Sequence, residues 1–264
     1  MRLNRFLASA GLGSRRSVEQ IILEGRVRIN GQVVTDLATQ VAPTDAVKVG
    51  NRLLHQQRTI YAVLHKPRGI VCSAEDERGR STIFDLLPRD WPRVHHVGRL
   101  DRDSEGLLLV TNDGDLTQLL THPSHEVEKE YEVLLDRPFD TALHRDKMLR
   151  GFRIIPGFAK CERLDVLQPK HLRLILRQGL NRQIRLMLYD VGGYEVERLM
   201  RIRLGPIALN DLAPGTWRLL SQKEVASLRE ASTPATKARP ARPAGAAGKG
   251  TPRPNTQRPT PDVE

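Results

Sequence analysis

Cysteine is scarce in this chain: Cys72 and Cys161 are the two among 264 residues. Two thiols 89 residues apart make neither a disulfide framework nor a Cys-x-x-Cys metal site. Both lie among apolar neighbours and read as reduced structural residues of a cytosolic protein. The eight histidines are scattered. His95-His96 and His122/His125 are the close pairs, neither has a cysteine near it, and no metal is expected. Long apolar runs are missing too. The longest uninterrupted aliphatic stretch is 107–110, far short of the ~20 residues that span a bilayer. The N-terminus, Met-Arg-Leu-Asn, lacks an apolar stretch of signal-peptide length. The expectation is a cytoplasmic protein with no membrane partner. A hydrophobic content of 39% with 28% charged residues fits a globular fold.

The common reaction signatures are absent as well. There is no GxxxxGK[ST] phosphate loop, no GxGxxG after a strand, no HExxH and no GxSxG. A reaction without a cofactor, or no reaction, remains.

What the chain has in excess is positive charge: 42 Lys+Arg against 31 Asp+Glu, a net +11. Residues 1–52 carry eight basic and four acidic residues, and 233–264 carry six and two. Eight of the eleven excess charges therefore sit in 84 terminal residues. The other 180 residues are nearly balanced, at +3. Such concentration points to a polyanion, with RNA or DNA foremost. The last 32 residues hold seven of the 17 prolines and no large apolar residue but Val263. A segment of that composition cannot offset its ordering entropy, so a disordered basic tail is expected.

Local patterns divide the remainder. Leu3, Phe6 and Leu7 have helical spacing, ended by Gly11 and Gly13. Ser14 can cap a second helix with Val18, Ile21 and Ile22 as its apolar stripe and Gly25 as its stop. Alternation on both sides of Asn30-Gly31 signals a hairpin. A third strand at 46–49 follows a Pro-Thr-Asp turn. Arg15 and Arg16 occupy a first helical turn, where free backbone N–H groups favour phosphate. This two-helix, three-strand module resembles an S4 RNA-binding domain. The resemblance is carried by Arg-Leu-Asn-Arg-Phe-Leu, Ser-Arg-Arg and Gly-Arg-Val-Arg-Ile-Asn-Gly in that order. It implies RNA contacts from Arg2, Arg5, Ser14, Arg15, Arg16, Arg26, Arg28 and Asn30.

From Tyr61 onward short strands alternate with helices and turns. Strands are expected at 61–64, 94–97 and 106–111, the last closed by an Asn112-Asp113-Gly114 turn. Leu172, Leu174 and Leu176 alternate with polar residues. Asn181 can cap a helix whose buried stripe is Ile184, Met187, Leu188 and Val191. Ser221-Gln-Lys-Glu224 is a capping box for a final helix. Asp101 stands at a strand-to-loop transition between Arg99 and Arg102. An ionised carboxylate there can act as nucleophile or base, although an Asp in such a place is more often a turn former.

A second resemblance changes that weighting. Gly98-Arg-Leu-Asp-Arg-Asp-Ser-Glu-Gly-Leu-Leu-Leu-Val-Thr-Asn-Asp-Gly114 resembles the catalytic motif of the RsuA family of ribosomal RNA pseudouridine synthases. Leu64-His-Lys-Pro-Arg-Gly-Ile-Val-Cys72 resembles the family's Lys-Pro-x-Gly strand. Lys129-Glu-Tyr131 resembles its Lys-x-Tyr motif. Gly179-Leu-Asn-Arg-Gln-Ile-Arg185 resembles its basic helix entry, most closely that of the RluF-type branch. Arg201-Ile-Arg203, Gly205-Pro206 and Gly215-Thr-Trp217-Arg218 complete the series. The departures are Leu186, where a second basic residue is common, and His65, where a small polar residue is.

The resemblance implies an α+β chain: an S4-like domain at 1–52, a linker at 53–60, and a catalytic domain at 61–232. That catalytic domain is expected to be a mixed, mainly antiparallel sheet flanked by helices, with the tail at 233–264. It implies isomerisation of uridine to pseudouridine in ribosomal RNA of the large subunit, by a monomer with no cofactor. Asp101 would be the catalytic carboxylate, attacking C1′ or removing the 2′ proton. Tyr131 would stack on the flipped base, and Arg185 would pair with Asp101. Lys66, Arg99, Arg102, Lys129, Asn181, Arg182 and Gln183 would contact RNA. The alternatives are action on tRNA, small-subunit RNA or a ribosome-assembly intermediate, and a noncatalytic RNA-binding assembly factor.

Overall fold

A computed structural model describes residues 1–73, 76 and 78–231. The expected tail at 233–264 lies outside the described residues. Elements of the N-terminal module are α1 (Leu3–Ser9), α2 (Arg15–Leu23), β1 (Val27–Ile29), β2 (Gln32–Val34), β3 (Val47–Val49) and β4 (Arg52–Leu53). Ser14 Oγ accepts from Ser17 N at 3.1 Å and so caps α2. Asn30 and Gly31 both take positive φ, 52° and 88°, as a two-residue turn between β1 and β2 requires. Leu3, Leu7, Val18, Ile22, Val27 and Val47 are fully buried together.

The sheet has four strands rather than three, in the order β2-β1-β3-β4. Arg52 and Leu53 pair back onto Val49 and Lys48, and Leu54 closes the same core. The turn is Gly50-Asn51, with Gly50 at φ 56°, itself a hairpin signal. Residues 53 and 54 thus belong with this module and not with a free linker.

The larger part contains β5 (Tyr61–Lys66), β6 (His95–Val97), β7 (Glu105–Thr111), α3 (Gly114–Thr121), β8 (Lys129–Leu135), α4 (Thr141–Arg150), β9 (Phe152–Ile154) and β10 (Gly157–Ala159). It continues with β11 (Arg163–Gln168), β12 (His171–Leu176), α5 (Gln183–Gly192), β13 (Val196–Leu204), β14 (Ile207–Ala208), β15 (Trp217–Leu219) and α6 (Gln222–Ala231). The main sheet runs β11-β12-β8-β13-β7-β5-β15, with β14 on β13 and β6 on β7. Its pairings are antiparallel except for β13 with β7. The fold is α+β.

Every residue of β7 is buried, because it has a core on each face. Leu107 and Leu109 pack with Leu116, Leu120 and Leu228 of α3 and α6. Leu108 and Val110 pack on the other side with Leu64, Ile83 and Leu100. A third core puts Ile184, Met187, Leu188 and Val191 of α5 on Leu172, Leu174 and Leu176 of β12.

Asn112-Asp113-Gly114 is more than a turn. Asp113 Oδ1 accepts from Asp115 N at 2.9 Å and Leu116 N at 3.1 Å, which caps α3. The capping box of α6 forms as expected, with Ser221 N donating to Glu224 at 2.9 Å and Glu224 N to Ser221 Oγ at 3.3 Å. Arg5 of α1 is ion-paired with Asp115 of α3, and Gln57 N donates to Ser9 O at 2.9 Å. One residue expected to meet RNA therefore instead ties the N-terminal module to α3.

Candidate active site

Asp101 lies in the loop that connects β6 to β7. The end of β5 holds that loop in shape. Lys66 is fully buried, and its Nζ donates to Asp101 O at 3.0 Å, Ser104 O at 2.7 Å and Pro67 O at 3.1 Å. Gly69 N donates to Arg102 O at 2.8 Å, and Arg102 Nε returns a bond to Gly69 O at 3.3 Å. Burial pushes the Lys66 ammonium below the usual lysine range, against the opposing pull of Asp101, Asp103 and Glu105. Lys66 was expected to contact RNA. Three carbonyl acceptors satisfy its three donors, so it acts on the loop and cannot reach a ligand.

Lys66→Met keeps the volume and leaves three inward carbonyls without a donor. Each such buried group costs about 1–3 kcal/mol. The variant is expected to unfold at least about 2 kcal/mol more easily in urea, with activity falling further than stability explains. An unchanged urea midpoint would contradict the role given to Lys66.

The Asp101 carboxylate is 30% exposed. Across from it the start of α5 brings two arginines. Arg182 Nη1 lies 3.9 Å from Asp101 Oδ2, and Arg182 Nη2 lies 3.3 Å from Asp103 Oδ2. Arg185 was expected to pair with Asp101. Its Nη2 instead meets Asp103 Oδ2 at 3.3 Å and donates to Asp103 O at 3.2 Å, while Nη1 donates to Val196 O at 2.7 Å. Burial alone would raise the Asp103 carboxyl, but the Arg182 hydrogen bond and both arginine charges hold it below the usual range. Asp103 is thus the partner that sequence reasoning missed. The sequence shows Asp103 as a second acid beside Asp101, but does not choose between the two.

The cap of α5 also differs. Arg182, not Asn181, takes the cap position, in left-handed backbone at φ 50°. Gln183 shapes this entry: its Oε1 accepts from Leu180 N at 3.2 Å and its Nε2 donates to Gln178 at 3.1 Å. Gln183 is buried, and its amide is taken up in holding the loop. Asn181 is exposed at the rim.

Tyr131 projects from β8 and packs between the core under α5 and the core beneath β5. Asp101, Tyr131, Lys129, Arg182, Ile184 and Leu199 line one cleft of about 820 Å³, a size that accepts a small organic ligand. Arg99, Asn181, Gln183, Leu204 and Arg201 complete parts of its wall. The cleft therefore joins a carboxylate, an aromatic ring, apolar walls and several cations.

In the N-terminal module Arg2, Arg15, Arg16, Arg26 and Arg28 are exposed. Arg26 meets Glu24 at 3.2 Å, and Arg28 reaches Gly31 O at 3.5 Å. Ser14 is occupied as a helix cap. Asn30 is occupied too, donating to Asp45 at 2.9 Å and accepting from Ala46 N at 2.9 Å. It pins the loop before β3, so both serve the fold.

Residues 60–190 match the family model described as RNA pseudouridylate synthase, and residues 1–47 match the S4 domain. A Bacillus subtilis protein named ribosomal large subunit pseudouridine synthase B is 37% identical over 86% of this chain and 95% of its own length. An Escherichia coli protein named dual-specificity RNA pseudouridine synthase RluF is 37% identical over 86% of this chain and 78% of its own. A crystal structure described as a pseudouridylate synthase aligns with a TM-score of 0.62 at 28% identity, covering 86% of this chain and 99% of that one.

Proposed function

Since this chain belongs to the RNA pseudouridylate synthases and carries an S4 domain in front, we propose that it isomerises a specific uridine of large-subunit ribosomal RNA, with Asp101 as its catalytic carboxylate. The observation that carries this reading is that Asp101 and Tyr131 line one and the same cleft. Relatives named for the large subunit support the choice of RNA.

The target base is extracted into the cleft at a cost of a few kcal/mol, least in a loop or poorly stacked segment. Asp101 acts at the sugar, either on C1′ or on the 2′ proton. The N1–C1′ bond breaks, the base turns, and C5 forms the new bond to C1′ as the Asp101–C1′ bond breaks or, on the second route, as Asp101 returns the proton to C2′. Loss of the C5 proton and protonation of N1 complete an isomerisation. Tyr131 stacks on the base. Arg182 lies 3.9 Å from Asp101 and can take a phosphate. Asp103 keeps Arg185 and Arg182 in position until RNA arrives. The enzyme works as a monomer in the cytoplasm. No described helix is long and apolar enough to cross a membrane.

The N-terminal module, proposed as residues 1–52 and extended here to Leu54, supplies capture; 61–232 supplies chemistry. Arg15 and Arg16 are exposed on the first turn of α2. Replacing both by Ala is expected to raise KM about 10-fold and lower the salt slope of binding by about 2, with kcat nearly unchanged. An equal loss in kcat would assign the module a part in the chemistry.

The reading is tested by incubating the purified chain with transcripts of large-subunit RNA, small-subunit RNA and tRNA. Pseudouridine is then located by carbodiimide adducts. Product in the large-subunit transcript is expected. Product confined to either other RNA overturns the substrate, and no product in any overturns the reading.

A further inference from the structure

Two cations on one wall of the cleft have no acid to pair with. Lys129 and Arg201 both line it. Lys129 stands two residues before Tyr131 on β8, and Arg201 of β13 is in register with Tyr131. Residues two apart on a strand share a face. Among the described residues neither cation makes an ion pair. Lys129 Nζ donates to Val127 O and Arg177 O, both at 2.9 Å. Those two bonds leave one of its three N–H groups free. Arg201 is 3% exposed. Its Nε donates to Leu107 O at 2.7 Å, while its buried Nη2 has no partner.

The neighbouring charges are spent elsewhere. Glu128 and Glu130 flank Lys129 in sequence, yet both turn to Arg203 on the opposite face. Arg177, beyond β12, sends its guanidinium to Glu126 and Glu128. Across the cleft Asp101 faces Arg182. A desolvated cation left without an acid is costly unless negative charge arrives.

The reaction supplies that charge. When Asp101 bonds to C1′, the electron pair of the N1–C1′ bond departs with the base. If Asp101 instead takes the 2′ proton, the same pair departs the same way. By either route the detached uracil carries one negative charge spread over N1, O2 and O4. The charge disappears when C5 bonds to C1′, as the Asp101–C1′ bond breaks or Asp101 returns the proton to C2′; loss of the C5 proton and protonation of N1 then give the product. We propose that Lys129, backed by the charge of Arg201, is a catalytic residue that stabilises this uracil anion. The inference rests on the Asp101 reading of the same cleft and deepens it. A fixed cation facing charge that exists only along the reaction path lowers the barrier without tightening substrate binding.

Burial, with the nearby Arg201 charge, pushes the Lys129 ammonium down to about 8. The stabilising form is therefore present below that value and lost as pH rises through it. The substrate's own N3 titrates at higher pH and does so alike in each variant.

The test is single-turnover pseudouridine formation at saturating enzyme, with pH profiles of kcat/KM, for wild type, Lys129→Met and Lys129→Arg. Lys129→Met is expected to slow conversion about 100-fold while RNA Kd stays close to wild type and the chain remains folded at the assay temperature. Lys129→Arg should recover most of the rate and move the alkaline limb from about pH 8 to higher pH. The Met defect in N1–C1′ bond cleavage, the readout on this substrate because its C5 bears fluorine and no proton to lose, should shrink on RNA carrying 5-fluorouridine, whose base departs more readily as an anion. A Met variant with wild-type rate, or an Arg variant with an unmoved alkaline limb, overturns the inference. Those results would leave the Asp101 reading standing. A wild-type chain that forms no pseudouridine, or an active Asp101→Asn, would count against that reading itself.

Discussion

Asp101→Asn is expected to abolish pseudouridine formation while leaving the fold and RNA binding in place. The amide matches the carboxylate in shape but can neither attack C1′ nor take a proton. Removing the group that acts on the reacting bond costs at least about 10⁴-fold in rate when nothing else can replace it. Among the described residues the acids beside it in sequence are engaged. Asp103 is held by Arg182 and Arg185, and Glu105 is paired with Arg198. The loop should persist, since Lys66 grips it through the Asp101 carbonyl and not its side chain. RNA affinity should be unchanged or slightly higher, because one negative charge has been removed from a polyanion site. Single-turnover conversion and filter-binding Kd, measured on one preparation, separate these effects. Conversion within about 10-fold of wild type, a difference of only ~1.4 kcal/mol, would exclude Asp101 as the reacting group.

The second large effect concerns stability. Gly106→Ala is expected to destabilise the chain by about 3–5 kcal/mol. Gly106 sits at φ 106°, where a side chain is strained, and a Cβ there would lie 2.3 Å from Arg201 O and 2.7 Å from Arg201 N. This is the point where β7 and β13 pair in parallel and the two antiparallel halves of the sheet join. Backbone cannot yield there without separating β7, which follows the Asp101 loop, from β13, which pairs with the strand of Tyr131. For a chain of this size the loss corresponds to a fall in Tm of about 10 °C. Gly114→Ala is the control, since nothing lies within 4 Å of its Cβ position and its φ is not left-handed. That variant should stay within about 1 kcal/mol of wild type. Equal melting of both variants would contradict the close approach at Gly106.

Local patterns proved reliable where the physics is local. Asn30-Gly31 makes its turn, Leu172, Leu174 and Leu176 share the buried face of β12, and Ser221 with Glu224 caps α6. The failures come from two sources. Asp113 was assigned to a turn because a cap and a turn draw on the same residues, and α3 begins there. Gly50-Asn51 was passed over because the strands on either side are only three and two residues long. Long-range contacts account for the rest. A lysine before proline reads as an exposed phosphate contact, yet Lys66 folds inward onto carbonyls more than thirty residues away. Arg185 meets Asp103 and not Asp101, a choice between carboxylates two residues apart that no spacing rule decides. Asp101 itself read locally as a turn former, and only the family resemblance raised it to a catalytic candidate.

The charge distribution has a physical sense within this account. Exposed arginines of the N-terminal module attract RNA at long range, and such attraction weakens with salt. The cleft keeps its cations near the reacting base, where low dielectric magnifies them.

The most direct measurement of the central claim is a pseudouridine map of total ribosomal RNA from cells with and without this gene. Deletion should erase pseudouridine at a discrete site in the large-subunit RNA. The wild-type gene should restore that site and the Asp101→Asn gene should not. An unchanged map after deletion, or restoration by Asp101→Asn, would contradict the account.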